Sequence, residues 1–200
     1  MVKHENVKGV TDVGKAIYPH LNKPDTRFQK EGVYKVTLEL APNQAELLLK
    51  QIDEGVKVAQ KESGSKSTKT ANPPYKKDED GNLQFNFKCK ASGVSKTGQN
   101  WEQKPKVFDS KGTPLKDDKV IWGGTTMKVA YEIIPYSNNM LGSGVSLRLK
   151  AVQIHELVSG GGASADTYGF KEEANGFVTE AVETFTDEAN GASSGNQEDF

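Results

Sequence analysis

Three histidines, His4, His20 and His155, are the only imidazoles in this 200-residue chain. They stand too far apart to form HExxH or any other ligand spacing, so neither a histidine-based zinc site nor an imidazole general base finds support. The acidic run DEDGN (Asp78 to Asn82) has the carboxylates of a calcium loop but lacks the sixth-position glycine. Counted from Asp78, its twelfth position is Cys89 rather than glutamate, so the run reads as a turn. GGTT (Gly123 to Thr126) lacks the lysine and the first glycine of a phosphate loop, and reads as a turn entering a strand. No nucleophile elbow or dinucleotide fingerprint is present. The expectation is a protein that is not an enzyme and that carries no metal or cofactor.

The residues that remain are suited to binding an anion. Lys88, Lys90, Lys128, Arg148 and Lys150 fall on the polar faces of segments that alternate like strands, and Lys104 and Lys106 lie near a further one. Lysines there also protect strand edges in ordinary β proteins. The charge map favours the binding role: residues 1–158 hold 25 Lys/Arg against 18 Asp/Glu, a net of +7, whereas residues 159–200 hold one Lys against nine acids, a net of −8. A basic body joined to an acidic tail points to a polyanion as partner. Aromatic rings can stack on bases. Tyr136, which follows Pro135 and opens the polar stretch YSNNMLGSG, is the best placed, followed by Trp101, which opens its segment among polar residues. Phe85, Phe87, Tyr131 and Tyr34 read as core, and Trp122 beside Gly123 and Gly124 fits either role.

Elements that would position these groups follow from periodicity. VYKVTLEL (33–40), QFNFKCKA (84–91), TTMKVAYEII (125–134) and GVSLRLKAVQIHEL (144–157) alternate as half-buried strands, the last slipping near Ala151–Val152 as a β-bulge would make it do. WEQKPKVF (101–108) is a fifth strand, which Pro105 confines to an edge or a bulge. From Pro42 to Glu62 the apolar residues Ala45, Leu48, Leu49, Ile52, Val56 and Ala59 recur at helical steps. The polar stretch 63–82 reads as a loop, and Asp80–Gly81 and Asp109–Gly112 as turns. Five short strands and one helix predict a mainly β, five-stranded antiparallel barrel over residues 1–158. SGGGAS (159–164) then opens a disordered acidic tail that runs to Phe200. The single cysteine fits a reducing cytosol, and with no signal-like or membrane-length apolar run the expected location is cytoplasmic.

IYPHLNKPDTRF, EGVYKVTLEL, FKCKAS, VFDSKG, IWGGTTMKVAYEIIPY and SLRLKAVQIHEL, in that order and ahead of an acidic tail ending in Asp-Phe, resemble the replicative single-stranded-DNA-binding proteins of short-tailed bacteriophages. The resemblance covers about residues 16–158 and the tail tip. It implies an OB-fold with an inserted helix, a homodimer, and a protein that coats single-stranded DNA in phage replication and recombination within the host cytoplasm. It further implies that Glu198, Asp199 and Phe200 contact a replicative DNA polymerase and a helicase–primase, while the tail screens the protein's own groove. Lys128 and Tyr136 would then touch DNA. This chain departs from the family where a relative has Lys-Val-Lys-Tyr, because KVAY places Ala130 at the second lysine. A competing reading keeps the lysines solvated and makes the chain a non-enzymatic β-rich interaction or structural module that docks by its tail.

Overall fold

The computed structural model describes residues 6–63, 69–116 and 119–158. All of them lie in the first of two units into which the chain divides, residues 1–161. The expected loop at 64–68 and the expected tail, including Glu198, Asp199 and Phe200, lie outside the described residues.

Ten strands and one helix follow one another: β1 (Lys8–Val10), β2 (Gly14–Asp25), β3 (Val33–Leu40), α1 (Pro42–Glu62), β4 (Tyr75–Lys77), β5 (Leu83–Lys90), β6 (Ser92–Val94), β7 (Asn100–Glu102), β8 (Lys106–Phe108), β9 (Thr126–Asn138) and β10 (Gly142–Glu156). The pairings β9–β2, β2–β3, β3–β5, β5–β10 and β10–β9 close a five-stranded ring, with β1 and β8 attached outside it and β4 alongside β5. Four of these pairings are antiparallel, while β5 and β10 run parallel.

Alternation decides which side chains fill the ring. Val36, Leu38 and Leu40 of β3, Phe85 and Phe87 of β5, Met127, Val129 and Ile133 of β9, and Leu147 and Leu149 of β10 are all buried inside it. Tyr34 and Tyr131 join them, as their place in the pattern predicts. Phe87 and Tyr131 bring their rings to 5.7 Å, and the Tyr131 hydroxyl donates to Gln51 Oε1 of the helix at 2.6 Å. Helix α1 spans the predicted residues, with Pro42 in its first turn and Gln44 Oε1 accepting from the Ala41 N–H. It buries Ala45, Leu48, Ile52 and Ala59 and packs on β9 and β10.

Four details differ from the periodicity reading. The fifth ring strand is β2, whose alternation is broken by Tyr18 at a left-handed φ of 48° and by register shifts on either side of His20, so Ala16 and Leu21 both point inward although five residues apart. The segment 101–108 divides at Pro105 into β7, which forms a hairpin with β6, and β8, which is an edge of the sheet. Strand β9 runs on to Asn138, so Tyr136 lies inside a strand, and part of the predicted 63–82 loop is β4. The expected slip in β10 is present, with Lys150 as the extra residue between Leu149 and Ala151.

Gly55 marks the closest approach of helix to barrel: a Cβ there would lie 2.7 Å from Val145 Cγ1 and 3.1 Å from Ile133 Cγ2. Leucine is the better helix former by ~0.8 kcal/mol, so any loss in Gly55→Leu reports the contact alone. Overpacking costs about 1–3 kcal/mol, and a thermal melt of Gly55→Leu should therefore show a midpoint several degrees below wild type. An unchanged or raised midpoint would mean that the helix does not need this close seat.

Candidate nucleic-acid interface

Every second residue of a strand faces outward, and the register brings five charges of adjacent strands into one row. Lys35 of β3 stands opposite Lys88 of β5, Lys88 is level with Arg148 of β10, Arg148 is opposite Glu132 of β9, and Glu132 is opposite Lys8 of β1. Three cations thus occupy neighbouring strands at one level, with Lys35 and Arg148 each paired to a carboxylate and Lys88 between them. Each end of the row has a carboxylate. At one end Asp25, buried, accepts from Arg27 Nε at 3.0 Å and Nη2 at 2.9 Å and from Lys35 Nζ at 2.6 Å. The Arg27 hydrogen bonds, then Lys35, hold its carboxyl well below the usual carboxylate range. At the other, Glu132 accepts from Asn6 Nδ2 at 3.0 Å and from Arg148 Nη1 at 3.3 Å. The Asn6 bond, with Arg148, Lys150 and Lys8 nearby, lowers its pKa as well.

Two concavities flank the row and share Lys88 and Ser146, so they run into one another. The first, about 530 Å³, is lined by Lys88, Lys90, Arg148, Trp101, Gln29 and Gln103 among others. The second, about 390 Å³, carries Tyr136, Asn86, Leu141 and the Asn72–Pro74 segment. Both aromatic rings rest on glycine. A Cβ on Gly93 would meet the Trp101 indole at 2.6 Å, and one on Gly144 would meet the Tyr136 hydroxyl at 3.0 Å, each glycine being the cross-strand partner of its aromatic. Absence of a side chain beneath each ring fixes its plane against the sheet.

Five of the residues singled out by sequence, Lys88, Lys90, Arg148, Trp101 and Tyr136, therefore share one groove. The others lie elsewhere. Lys128 is on the same face of β9 as Tyr136 but eight residues away, roughly 26 Å along a strand, and lines a separate, mostly apolar hollow of about 320 Å³ with Val10, Phe108, Ala130 and Val152. Lys104 borders a third concavity with Lys30, Glu31 and Glu102, Lys106 is exposed on β8, and Lys150 is exposed at the β10 bulge. Trp122 is 44% exposed, away from the groove linings. Lys35, Gln29 and Gln103 were missed. Lys35 was legible on the polar face of VYKVTLEL, whereas nothing in the sequence assigns the two glutamines to this groove. Cys89 also borders the groove, but burial pushes its thiol up, which leaves it a poor nucleophile. Among the described residues no three His, Cys, Asp or Glu side chains gather to hold a metal ion, and no helix is long and apolar enough to cross a membrane.

The family model for the single-stranded DNA-binding protein of bacteriophage T7 matches residues 13–157, most of the chain. The chain belongs to that family. It is 33% identical over 187 residues to the single-stranded DNA-binding protein of Escherichia phage T7, covering 80% of each chain, and 31% identical over 197 residues to that of Enterobacteria phage T3, covering 86% of this chain and 84% of the other. The crystal structure of gp2.5, the single-stranded DNA-binding protein encoded by bacteriophage T7, superposes with a TM-score of 0.68 at 30% identity over 88% of this chain and 100% of that one. The fold of this phage T7-type family member is accordingly the expected mainly β, OB-like barrel with one helix. The single-stranded DNA-binding protein of bacteriophage Enc34, solved in complex with single-stranded DNA, shares the fold at a TM-score of 0.57 and 18% identity, covering 78% of this chain and 89% of the other.

Asp25 gives the row a pH signature. Its folded-state pKa lies below the ordinary carboxylate value of about 3.9, so the stability it contributes is complete well above pH 4 and is lost as pH falls through the folded-state value. Urea midpoints for wild type and Asp25→Asn should differ by a constant gap from pH 7 to about pH 5 and converge below about pH 4. A gap that stays constant into acid would mean that Asp25 gains nothing from Arg27 and Lys35.

Proposed function

We propose that this protein binds and coats single-stranded DNA in the host-cell cytoplasm during phage replication and recombination, through residues 1–158. The observation that carries this reading is the in-register row Lys35–Lys88–Arg148 beside a groove holding Trp101 and Tyr136. Cations at strand spacing suit a phosphate backbone, while rings held flat against the sheet suit unpaired bases, whose faces stack without regard to sequence. Lys90 extends the cationic edge, and Lys128, Lys150, Lys104 and Lys106 supply a more diffuse field that steers the strand toward the groove. Charge at Lys128 would act at a distance, with Ala130 adding none.

In the same proposal, residues 159–200 form a tethered counter-charge. A tail of net −8 beside a body of net +7, at an effective concentration of roughly millimolar order, competes with DNA for the cations. When DNA displaces it, Glu198, Asp199 and Phe200 become available to a replicative DNA polymerase and a helicase–primase, each offering a basic rim around an apolar pocket. The protein acts as a homodimer.

Tryptophan-fluorescence titration with oligo-dT tests the reading. Full-length protein should bind saturably, with log K falling by about 0.7 per neutralised phosphate for each unit of log salt. A 1–158 truncation should bind more tightly, most of all at low salt where screening is weakest. Tyr136→Ala should weaken binding about ten-fold with little change in salt slope, whereas Arg148→Gln should reduce both affinity and slope. No binding by either full-length or truncated protein would overturn the reading, and equal affinities at every salt would remove tail screening.

A further inference from the structure

The loop between β2 and β3 is held at both ends yet leaves a large ring in solvent. At its start Arg27 is fixed to Asp25 by its backbone N–H as well as by its guanidinium. At its end Gly32, at φ 73°, donates to Gln29 O and accepts from the Ala91 N–H, while Ser92 Oγ donates to Glu31 O. Between these anchors Phe28 is 89% exposed, the most exposed large apolar side chain among the described residues. A single exposed ring is common on protein surfaces, so what this one does depends on what surrounds the loop.

The loop's position says which ligand. Gln29, the next residue, lines the groove with Lys88, Lys90 and Trp101. Thr26 and Lys30 line the neighbouring concavity with Lys104, and the two share Gln103. Phe28 therefore lies in the chain between residues that line two concavities sharing Gln103. Arg27 is its neighbour in the chain, Lys90 lines the groove with Gln29, and Lys30 lines the other concavity with Lys104, Glu31 and Glu102. An aromatic ring with cationic neighbours in the chain, beside a basic groove, fits a nucleobase better than an apolar protein surface.

We infer that Phe28 is a third base-stacking residue, which carries the path of a single strand past Trp101 and over the β2–β3 loop. The inference rests on the single-strand reading above. Its anchors make the ring preorganised, so stacking costs little ordering of the loop.

Phe28→Ala, Phe28→Leu and Phe28→Tyr test it, with oligo-dT as the probe and wild type and Tyr136→Ala as references. The ring is solvent-exposed, so all three variants should fold, which circular dichroism checks. Phe28→Ala and Phe28→Leu should each weaken binding by roughly ten-fold at unchanged salt slope, and Phe28→Tyr should bind as wild type, because a π-face is required rather than apolar volume. Wild-type affinity in Phe28→Leu, or an equal loss in Phe28→Tyr, would overturn the inference while a defective Tyr136→Ala left the groove reading standing. Failure of wild type to bind oligo-dT would remove the groove reading and this inference with it.

Discussion

Parallel pairing of β5 with β10 is the constraint on which the rest depends. It closes the ring, because without it the other four pairings leave the path open between β5 and β10. By setting Arg148 level with Lys88, it also joins two separate cationic strand faces, with Lys35 added from β3. The interior face of the same contact sets Leu147 beside Phe87, both buried. Burial of that apolar pair fixes the register, since a one-residue slip would turn both side chains outward. The hydrophobic core therefore dictates where the cations go. Their mutual repulsion, on the order of 1 kcal/mol per close pair in water, is offset in part by Asp25 on Lys35 and Glu132 on Arg148.

Glycine opposite an aromatic is the second device, used on both sides of the sheet. Gly9 under Tyr131 lets that ring sit close to β1, while Gly93 and Gly144 lie under the groove aromatics Trp101 and Tyr136. In each case the strand gives up a side chain so that a neighbouring ring can lie flat against it. On the inner face the result is packing and a hydroxyl aimed at Gln51. On the outer face it is a rigid ring with its remaining surface turned to the groove. Stacking platforms built on strands lose less freedom on binding than platforms built on open loops.

Much of this was legible in the sequence, for reasons that the exceptions clarify. Strict alternation in 33–40 and 84–91 identified both strands and their polar faces, and the helical steps of 42–62 identified α1 to the residue. The β2 strand was not legible, because Pro19, Pro24 and the left-handed Tyr18 interrupt the two-residue period on which recognition of a strand relies. Convergence of Lys88, Lys90, Arg148 and Tyr136 follows from polar-face placement plus ring closure, whereas Trp101 arrives on the separate β6–β7 hairpin. Separation of Lys128 from Tyr136 did not, since residues of equal parity share a face but not a location along it. Phe28 illustrates the opposite limit: an aromatic between Arg27 and Gln29 carries no periodic signal, and its exposure emerges only from the anchors of the loop.

Functional cations held in repulsive register should leave a trace in the free protein as well as in the complex. Replacing Lys88 by glutamine removes the middle charge of the row without disturbing the buried face of β5. The most direct measurement is the thermal midpoint of wild type and Lys88→Gln at low salt, with and without oligo-dT. Our account predicts a higher midpoint for free Lys88→Gln than for free wild type, and a smaller rise on adding oligo-dT. A free midpoint at or below wild type, together with an undiminished rise, would contradict the claim that Lys88, set between two ion-paired cations, is held in readiness for a polyanion.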